Sequence, residues 1–379
     1  MRDVEGRRLV PGENGAGGPR GLPSGLRLAS RPSPSPRVVA VGGGTGLPVV
    51  LEGLKRTLFA AVPRGAAEDP DRLTAVVTVS DDGGSSGRLR RAYGVLAPGD
   101  IRNCLLVLSE ADGLMKRLFG FRFEGRRDVG GHSLGNLILT ALSLSEGGLA
   151  EAVDRAAEVL AVRGRVLAAT RADVSLVAEL TGGAEVRGEA AITRAGGRID
   201  RLRLAPDDAA LEPRAVAALR AADLVVIGPG SLFTSLIPPL LLRGFSDAVA
   251  ESGARVVLVM NVMTERGETD GLTAAQHVLA LRRHAPRLPL HDVLLDTTPI
   301  PDEVRARYAA GGAAPVPADL REIEALGCRP VRRGLLAEGR KIRHDPRALA
   351  AALLELAAEG IPRPGEAAPS PGLAAGPRG

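Results

Sequence analysis

Aromatic side chains are scarce in this chain: 2% of 379 residues, with two tyrosines, six phenylalanines and no tryptophan. The apolar fraction is still 45%, so any core must be built from Val, Leu, Ile and Ala. Lysine is almost missing as well (Lys55, Lys116 and Lys341), and arginine carries the positive charge, a bias that a G+C-rich genome produces. The two cysteines, Cys104 and Cys328, lie outside any Cys-x-x-Cys pattern. They exclude a disulfide framework and a cysteine-based zinc site, and Cys104 reads as a buried, inert thiol on an apolar helix face. No apolar run reaches the length of a membrane span. The Arg-, Gly- and Pro-rich beginning has no apolar stretch of the kind a signal peptide needs. A cytoplasmic protein in a reducing compartment is expected.

A net charge of +5 and an isoelectric point near 9.8 raise the question of nucleic acid. The charge is concentrated at the ends. Residues 1–36 carry six arginines against Asp3, Glu5 and Glu13, and residues 362–379 carry Arg363 and Arg378 against Glu366. That leaves a net of +1 on residues 37–361, too little for a duplex-binding footprint. Both end segments are dense in Pro, Gly and Ala and lack hydrophobic periodicity, so they are expected to be disordered tails. A misassigned start codon accounts equally well for part of the first.

Between the tails the pattern is α/β. Val38–Val41 and Thr74–Val79 are β-branched runs of buried-strand length, and Leu47, Val50, Leu51, Leu54 and Leu58 follow the first at helical spacing. Asp100 is the expected N-cap of a helix from Ile101 to Glu110, Ser133 of a helix beginning at Leu134. Residues 104–162 read as a helical insertion. Residues 164–204, punctuated by Gly182-Gly183 and Gly196-Gly197, read as antiparallel hairpins, with Glu185–Thr193 as one of the strands. Strands are expected again at Asp223–Ile227, Arg255–Met260 and Asp292–Leu295, with helices at 213–221, 233–241, 273–284 and 346–358. The fold class is a modified Rossmann-like, mostly parallel sheet with helical and antiparallel β insertions, over residues 37–361.

Four strands run into polar loops, and in a parallel sheet those loops share one edge. The first, Gly42-Gly43-Gly44-Thr45-Gly46, offers backbone N–H groups at a helix start, which suits a phosphate or a tight packing turn. It lacks the dinucleotide fingerprint, and no Gly-Lys-Ser/Thr occurs in the chain, so an NAD enzyme and a Walker-type NTPase are disfavoured. The second, Ser80–Arg90, packs Asp81, Asp82, Ser85, Ser86, Arg88 and three glycines into eleven residues. Its carboxylates suit Mg²⁺, a ribose hydroxyl or the cap of the next helix. The third holds Gly228, Gly230, Ser231, Thr234 and Ser235. The fourth holds Asn261, Glu265, Glu268 and Asp270, acceptors suited to sugar hydroxyls, a metal or solvent. His132, flanked by glycines at a helix start, is either an acid–base group or a structural one.

Together with Pro98–Asn103 and Gly131–Asn136, these blocks resemble the YvcK family, the gluconeogenesis factors, which is related to the CofD 2-phospho-L-lactate transferases. The resemblance spans residues 37–361. It implies a cytoplasmic regulator that binds UDP-N-acetylglucosamine and supports cell shape and wall synthesis on gluconeogenic carbon. The partners implied are wall-synthesis proteins; a homo-oligomer is compatible, and no nucleic acid is implied. The contacts implied are the four loops together with Asn103, His132, Asn136 and Arg343, the last in an Arg343-His344 pair before the final helix. The CofD relatives imply the alternative: phospho-group transfer from a guanine nucleotide, with Mg²⁺ at Asp81 and Asp82. Two positions depart from the family: Leu272 and Phe233 stand where Tyr is usual.

Overall fold

The computed structural model describes residues 36–61, 69–125, 128–337, 339 and 341–360; apart from Pro36, both expected tails lie outside these. The chain opens with the strand β1 (Val38–Gly42), every residue buried, followed by helix α1 (Leu47–Leu58), which buries Leu47, Val50, Leu51, Leu54 and Leu58. Each such leucine contributes about 1.5–3 kcal/mol by leaving water. After β2 (Leu73–Val77) comes a helical run: α2 (Gly84–Tyr93), α3 (Gly99–Leu108), α4 (Gly113–Gly120), α5 (Leu134–Ser145) and α6 (Leu149–Val159). Between α4 and α5 an antiparallel bridge joins Arg122 to Ser133. Ser133 caps α5 as expected, accepting from the Asn136 N–H at 3.2 Å.

Next come β3 (Arg165–Ala168), β4 (Ser175–Leu180), β5 (Glu185–Arg187), α7 (Glu189–Ala195) and β6 (Ile199–Ala205). The reading of 164–204 as hairpins needs two corrections. β3 belongs to the main sheet, parallel to β2. The run Glu185–Thr193 is not one strand: it breaks at Gly188, whose φ of +93° favours glycine, and continues as the helix α7. β4, β5 and β6 then form a separate antiparallel sheet in the order β5-β4-β6.

The α/β pattern resumes with α8 (Pro213–Arg220), β7 (Leu224–Ile227), a wide helical turn at Leu232–Leu236, α9 (Ile237–Leu240), α10 (Phe245–Ser252), β8 (Arg255–Val259) and α11 (Ala274–His284). The prolines at 238 and 239 fall in the first turn of α9, where a missing N–H costs nothing. The chain continues through β9 (Asp292–Asp296), α12 (Asp302–Ala310), α13 (Leu320–Ala325), β10 (Arg329–Arg333) and α14 (Pro346–Glu359). The last helix lies on α1, and a Cβ at Gly53 would collide with the Pro346 carbonyl.

Among the described residues the main sheet has seven parallel strands in the order β10-β9-β8-β7-β1-β2-β3. β1 to β3 step outward one way and β7 to β10 the other. The order therefore reverses between β1 and β7, which opens a crevice beyond their C-terminal ends. None of the described helices is long and apolar enough to cross a membrane.

Candidate functional site

The loops after β1 and β7 meet at this switch point. Gly46 lies so close to the Pro229 carbonyl that a Cβ would collide with it, and Gly44 takes φ +62°. α1 starts without a side-chain cap, but Pro48 in its first turn has no N–H and Val49 N–H donates to the Gly46 carbonyl at 3.0 Å, so donors for a ligand come from the glycine loop before it. One donor of the glycine loop is already engaged: Gly44 N–H gives a 2.6 Å hydrogen bond to Asp100 Oδ2. Asp100 is thus not the N-cap of its helix, which begins at Gly99 behind Pro98; its carboxylate is drawn into the loop instead. Burial, opposed by the Gly44 bond and helped by Asp81, raises its pKa to about 6.

Asp81 and Asp82 face different neighbours. Asp81 Oδ1 accepts from Gly83 N–H at 2.8 Å, closing the turn before α2. Asp82 Oδ1 accepts from Ala190 N–H at 2.9 Å, and Oδ2 abuts Gly188. Neither carboxylate caps α2, whose N-cap is Gly83, and Asp82 fastens the start of α7. That leaves Asp81 as the member of the pair beside the crevice, with Gly99 near its second oxygen.

α7 also brings in Glu189, a residue the sequence does not single out. Its pKa is pushed up to about 9, first by burial and then by Asp81, Asp100, Glu268 and Asp82. The charges acting most strongly on it are all negative. Glu268 is raised to about 7 by burial and by Glu265. These carboxylates form an acidic chamber between the sheet edge and the antiparallel insertion.

In the third and fourth loops most of the expected ligand groups brace one another. Asn261 exchanges two hydrogen bonds with Gly230, accepting from its N–H at 3.0 Å and donating to its carbonyl at 2.8 Å. Ser231 donates to Glu265, Thr234 Oγ1 donates to Glu268 Oε1 at 2.9 Å, and Asp270 accepts from Gly267 N–H at 2.6 Å. Ser235 lies against Gly43 and Gly44, and Gly228 against Leu236.

Arg88, Asn103, His132 and Asn136 gather elsewhere, around Ser85. His132 Nδ1 is 2.9 Å from Ser85 Oγ, which also accepts from Asn136 Nδ2 at 3.0 Å. Arg102 donates to Asn136 Oδ1, Asn103 Oδ1 and Ser133 Oγ. Because arginine only donates, it fixes Asn136 with its NH₂ toward Ser85. The serine proton is then free for His132 Nδ1, and burial, Arg88 and Arg122 lower the pKa of that ring. Ser86 approaches Gly99 and joins α2 to α3.

Two cavities border the loops. One of about 250 Å³ lies at the switch point, walled by Thr45, Gly46, Gly230, Asn261 and Glu265 and closed by Tyr308, Arg343 and His344. Tyr308 escapes a motif search because it stands alone on α12; its signal was scarcity, as one of two tyrosines. Its hydroxyl accepts from Ile342 N–H at 3.0 Å, which ties α12 to the Arg343 segment. His344 is buried, its Nε2 has no partner, and burial lowers its pKa to about 4. The other cavity, about 410 Å³, lies between the insertion and α11, and both departures from the family, Phe233 and Leu272, line it. Although larger, it meets the loops at Phe233, Glu268 and Asp270 and at none of Gly42–Gly46, Gly228 or Gly230, so the smaller cavity is the better match to an anionic ligand.

The family described as 2-phospho-L-lactate transferase CofD matches residues 38–336. The gluconeogenesis factor of Halalkalibacterium halodurans is 42% identical over 84% of this chain and 95% of its own length. That of Bacillus subtilis is 42% identical over 86% of this chain and 99% of its own. The crystal structure of protein BH3568 from Bacillus halodurans superimposes with a TM-score of 0.79 at 41% identity, covering 84% of this chain and 99% of that one. With a switch-point crevice, a glycine loop opening α1 and a family match over most of its length, the chain belongs to the CofD family, among relatives named gluconeogenesis factors.

Proposed function

We propose that the switch-point crevice binds a nucleotide-sugar, UDP-N-acetylglucosamine, and that the protein is a cytoplasmic regulator of cell shape and wall synthesis on gluconeogenic carbon. The observation that carries this reading is the cavity of about 250 Å³, which the glycine loop, Tyr308 and Arg343 all line. The backbone of the glycine loop before α1 and Arg343 offer donors to a pyrophosphate. Tyr308 offers an aromatic face to a base or sugar, and Glu265 an acceptor for hydroxyls.

The test is a thermal-shift panel of UDP-sugars, guanine nucleotides and NAD, with and without Mg²⁺. At 100 times its Kd a ligand adds about 2.7 kcal/mol, and UDP-N-acetylglucosamine should give that shift in wild type but not in Arg343→Ala. A shift with GDP or GTP plus Mg²⁺ and none with UDP-sugars would reverse the ranking in favour of CofD-type transfer.

That second reading draws on the acidic chamber. Its donors are all oxygens, which suits Mg²⁺, and Asp81 and Asp100 lie nearest the glycine loop. Among the described residues no three His, Cys, Asp or Glu side chains converge as a metal site, so phosphate and water would complete the shell. Mg²⁺ when bound would neutralise charge on the phosphates.

A further inference from the structure

Away from the crevice, we infer that the outer face of α5 packs antiparallel against α5 of a second copy of this chain, making a twofold dimer through the helical insertion.

The first observation is which way α5 turns its side chains. Its twelve residues include no charged one, whereas a helix on a protein surface normally turns charged groups outward. The polar groups of α5 point inward instead: Asn136, Thr140 and Ser143 are buried, and the two hydroxyls donate to carbonyls one turn back at 2.8 and 2.7 Å. On the opposite side stand Leu134, Leu137, Ala141 and Leu144, with the spacing of a coiled-coil seam. Leu134 and Leu137 are half-buried, Ala141 and Leu144 exposed. Ile138 and Leu142, on the flank, pack against the core; the seam does not.

The second observation is where apolar surface is left uncovered. Among the described residues, seven of the eight exposed large apolar side chains lie between Tyr93 and Val159, so the uncovered surface belongs to this one region. Leu114 and Leu118 stand on α4, which packs beside α5. Phe121 follows, its carbonyl accepting from Leu134 N–H at 2.8 Å, and Tyr93 shares a cavity wall with Leu144. These five side chains, about 200 Å² each and half exposed, offer roughly 500 Å² of apolar area. That is the apolar share of an interface burying about 800 Å² per partner, the size of a stable pair.

The third observation says what covers the face. Two α5 helices crossing antiparallel about Leu139 set Leu134 against the partner's Leu144 and Leu137 against the partner's Ala141. Each contact is made twice, as a twofold interface requires, and the small Ala141 leaves room for the larger leucine. The ends of the seam also complement each other. Phe121 stands out at the Leu134 end, and a cavity of about 340 Å³ walled by Tyr93, Leu96 and Leu144 opens at the other. Antiparallel pairing carries each phenylalanine to the cavity end of its partner. With no charge on α5, nothing along the seam repels a second copy, and nothing there selects a partner by charge.

The test is sedimentation equilibrium of the full chain over a range of concentrations. Wild type should reach twice the 39.2 kDa of one chain. Leu134→Glu and Leu144→Lys each put a charge in the seam, and each charge suits its own end of the helix dipole, so the monomer keeps its fold; a thermal melt of each variant verifies this. Either variant alone should dimerise about a hundredfold more weakly, roughly tenfold for each of the two charges a symmetric pair would bury. Mixed in equal amounts they should form a dimer again, because the register sets the new acid of one against the new base of the other. Ala141→Glu, at an exposed position, should show the same loss and serves if a leucine variant fails to fold. The inference is overturned by a wild type that stays at 39.2 kDa throughout, which would leave the face to another protein. It is overturned equally by seam variants that dimerise as wild type does, or by a mixture that stays monomeric. None of these outcomes bears on the nucleotide-sugar reading, which the ligand panel tests separately.

Discussion

The two ends of the main sheet handle buried charge in opposite ways. At the N-terminal edge, the first residues of three neighbouring strands form one closed network. Arg255 of β8 donates to Asp292 of β9 at 2.6 and 3.1 Å, and Arg329 of β10 donates to the same carboxylate at 2.7 Å. Arg255 also reaches the carbonyls of Leu356 and Gly360, and Arg329 reaches Glu359, so the network secures the end of α14, where cations suit the helix dipole. At the C-terminal edge, Asp81, Asp100, Glu189 and Glu268 act on one another with backbone and hydroxyl donors but, among the described residues, no comparable cation. The first arrangement is complete without a ligand. The second is strained until a proton or a cation joins it, which is what a binding edge needs and a structural edge avoids.

This contrast can be broken at either end. The largest effect is expected from Asp292→Ala. It leaves Arg255, 1% exposed, without its buried counter-charge and with only the more exposed Glu359 at 3.2 Å, and should cost about 3–5 kcal/mol in urea unfolding. A loss under 1 kcal/mol would mean that the two arginines find water or each other's partners.

A gain is expected at the other end. Glu189 keeps its proton in the folded chain to about pH 9 but loses it near 4.5 when unfolded. Its contribution is therefore intact below pH 4.5 and is lost as pH rises toward 9; Asp100 and Glu268 act in the same direction, with folded values of about 6 and 7. Glu189→Gln should raise stability at pH 8 by on the order of 2 kcal/mol and change little at pH 5. A variant no more stable than wild type at pH 8 would show that the chamber already holds a compensating cation.

The smallest effect concerns the latch between the two sheets. Asp82→Asn weakens one charge-assisted bond to Ala190 N–H and should cost about 1 kcal/mol, with faster hydrogen exchange confined to residues 189–195. Exchange unchanged there would make the Asp82 contact incidental.

How much of this was legible beforehand follows from what each segment depends on. β1, β2, β7, β8 and β9 are continuous apolar runs buried on both faces, and a run of that kind declares itself. β10, Arg-Pro-Val-Arg-Arg, has no such pattern; it is an edge strand held by the charges at its start. α7 was hidden because Ala-Ala-Ile-Thr reads as strand or helix, and the break at Gly188 depends on contact with Asp82. The polar loops were visible as a set, and their convergence follows from parallel topology. Their internal pairing was not visible: Asn261 to Gly230, Asp100 to Gly44 and Tyr308 to Ile342 all join distant parts of the chain. Ser133 as a cap was legible because its partner is three residues away; Asp100 was misread because its partner is not.

The contact between Gly53 and Pro346 also has a consequence in time. α1 stands directly behind the glycine loop, yet the helix that covers it is α14, the last one described. The strand beside β1 on its other flank, β7, is likewise made late. Contacts of such long sequence separation form slowly and only after the intervening chain exists. The ligand-binding edge should therefore be among the last parts to mature during synthesis, and a nascent chain stalled before α14 would present β1 and its loop without a working crevice.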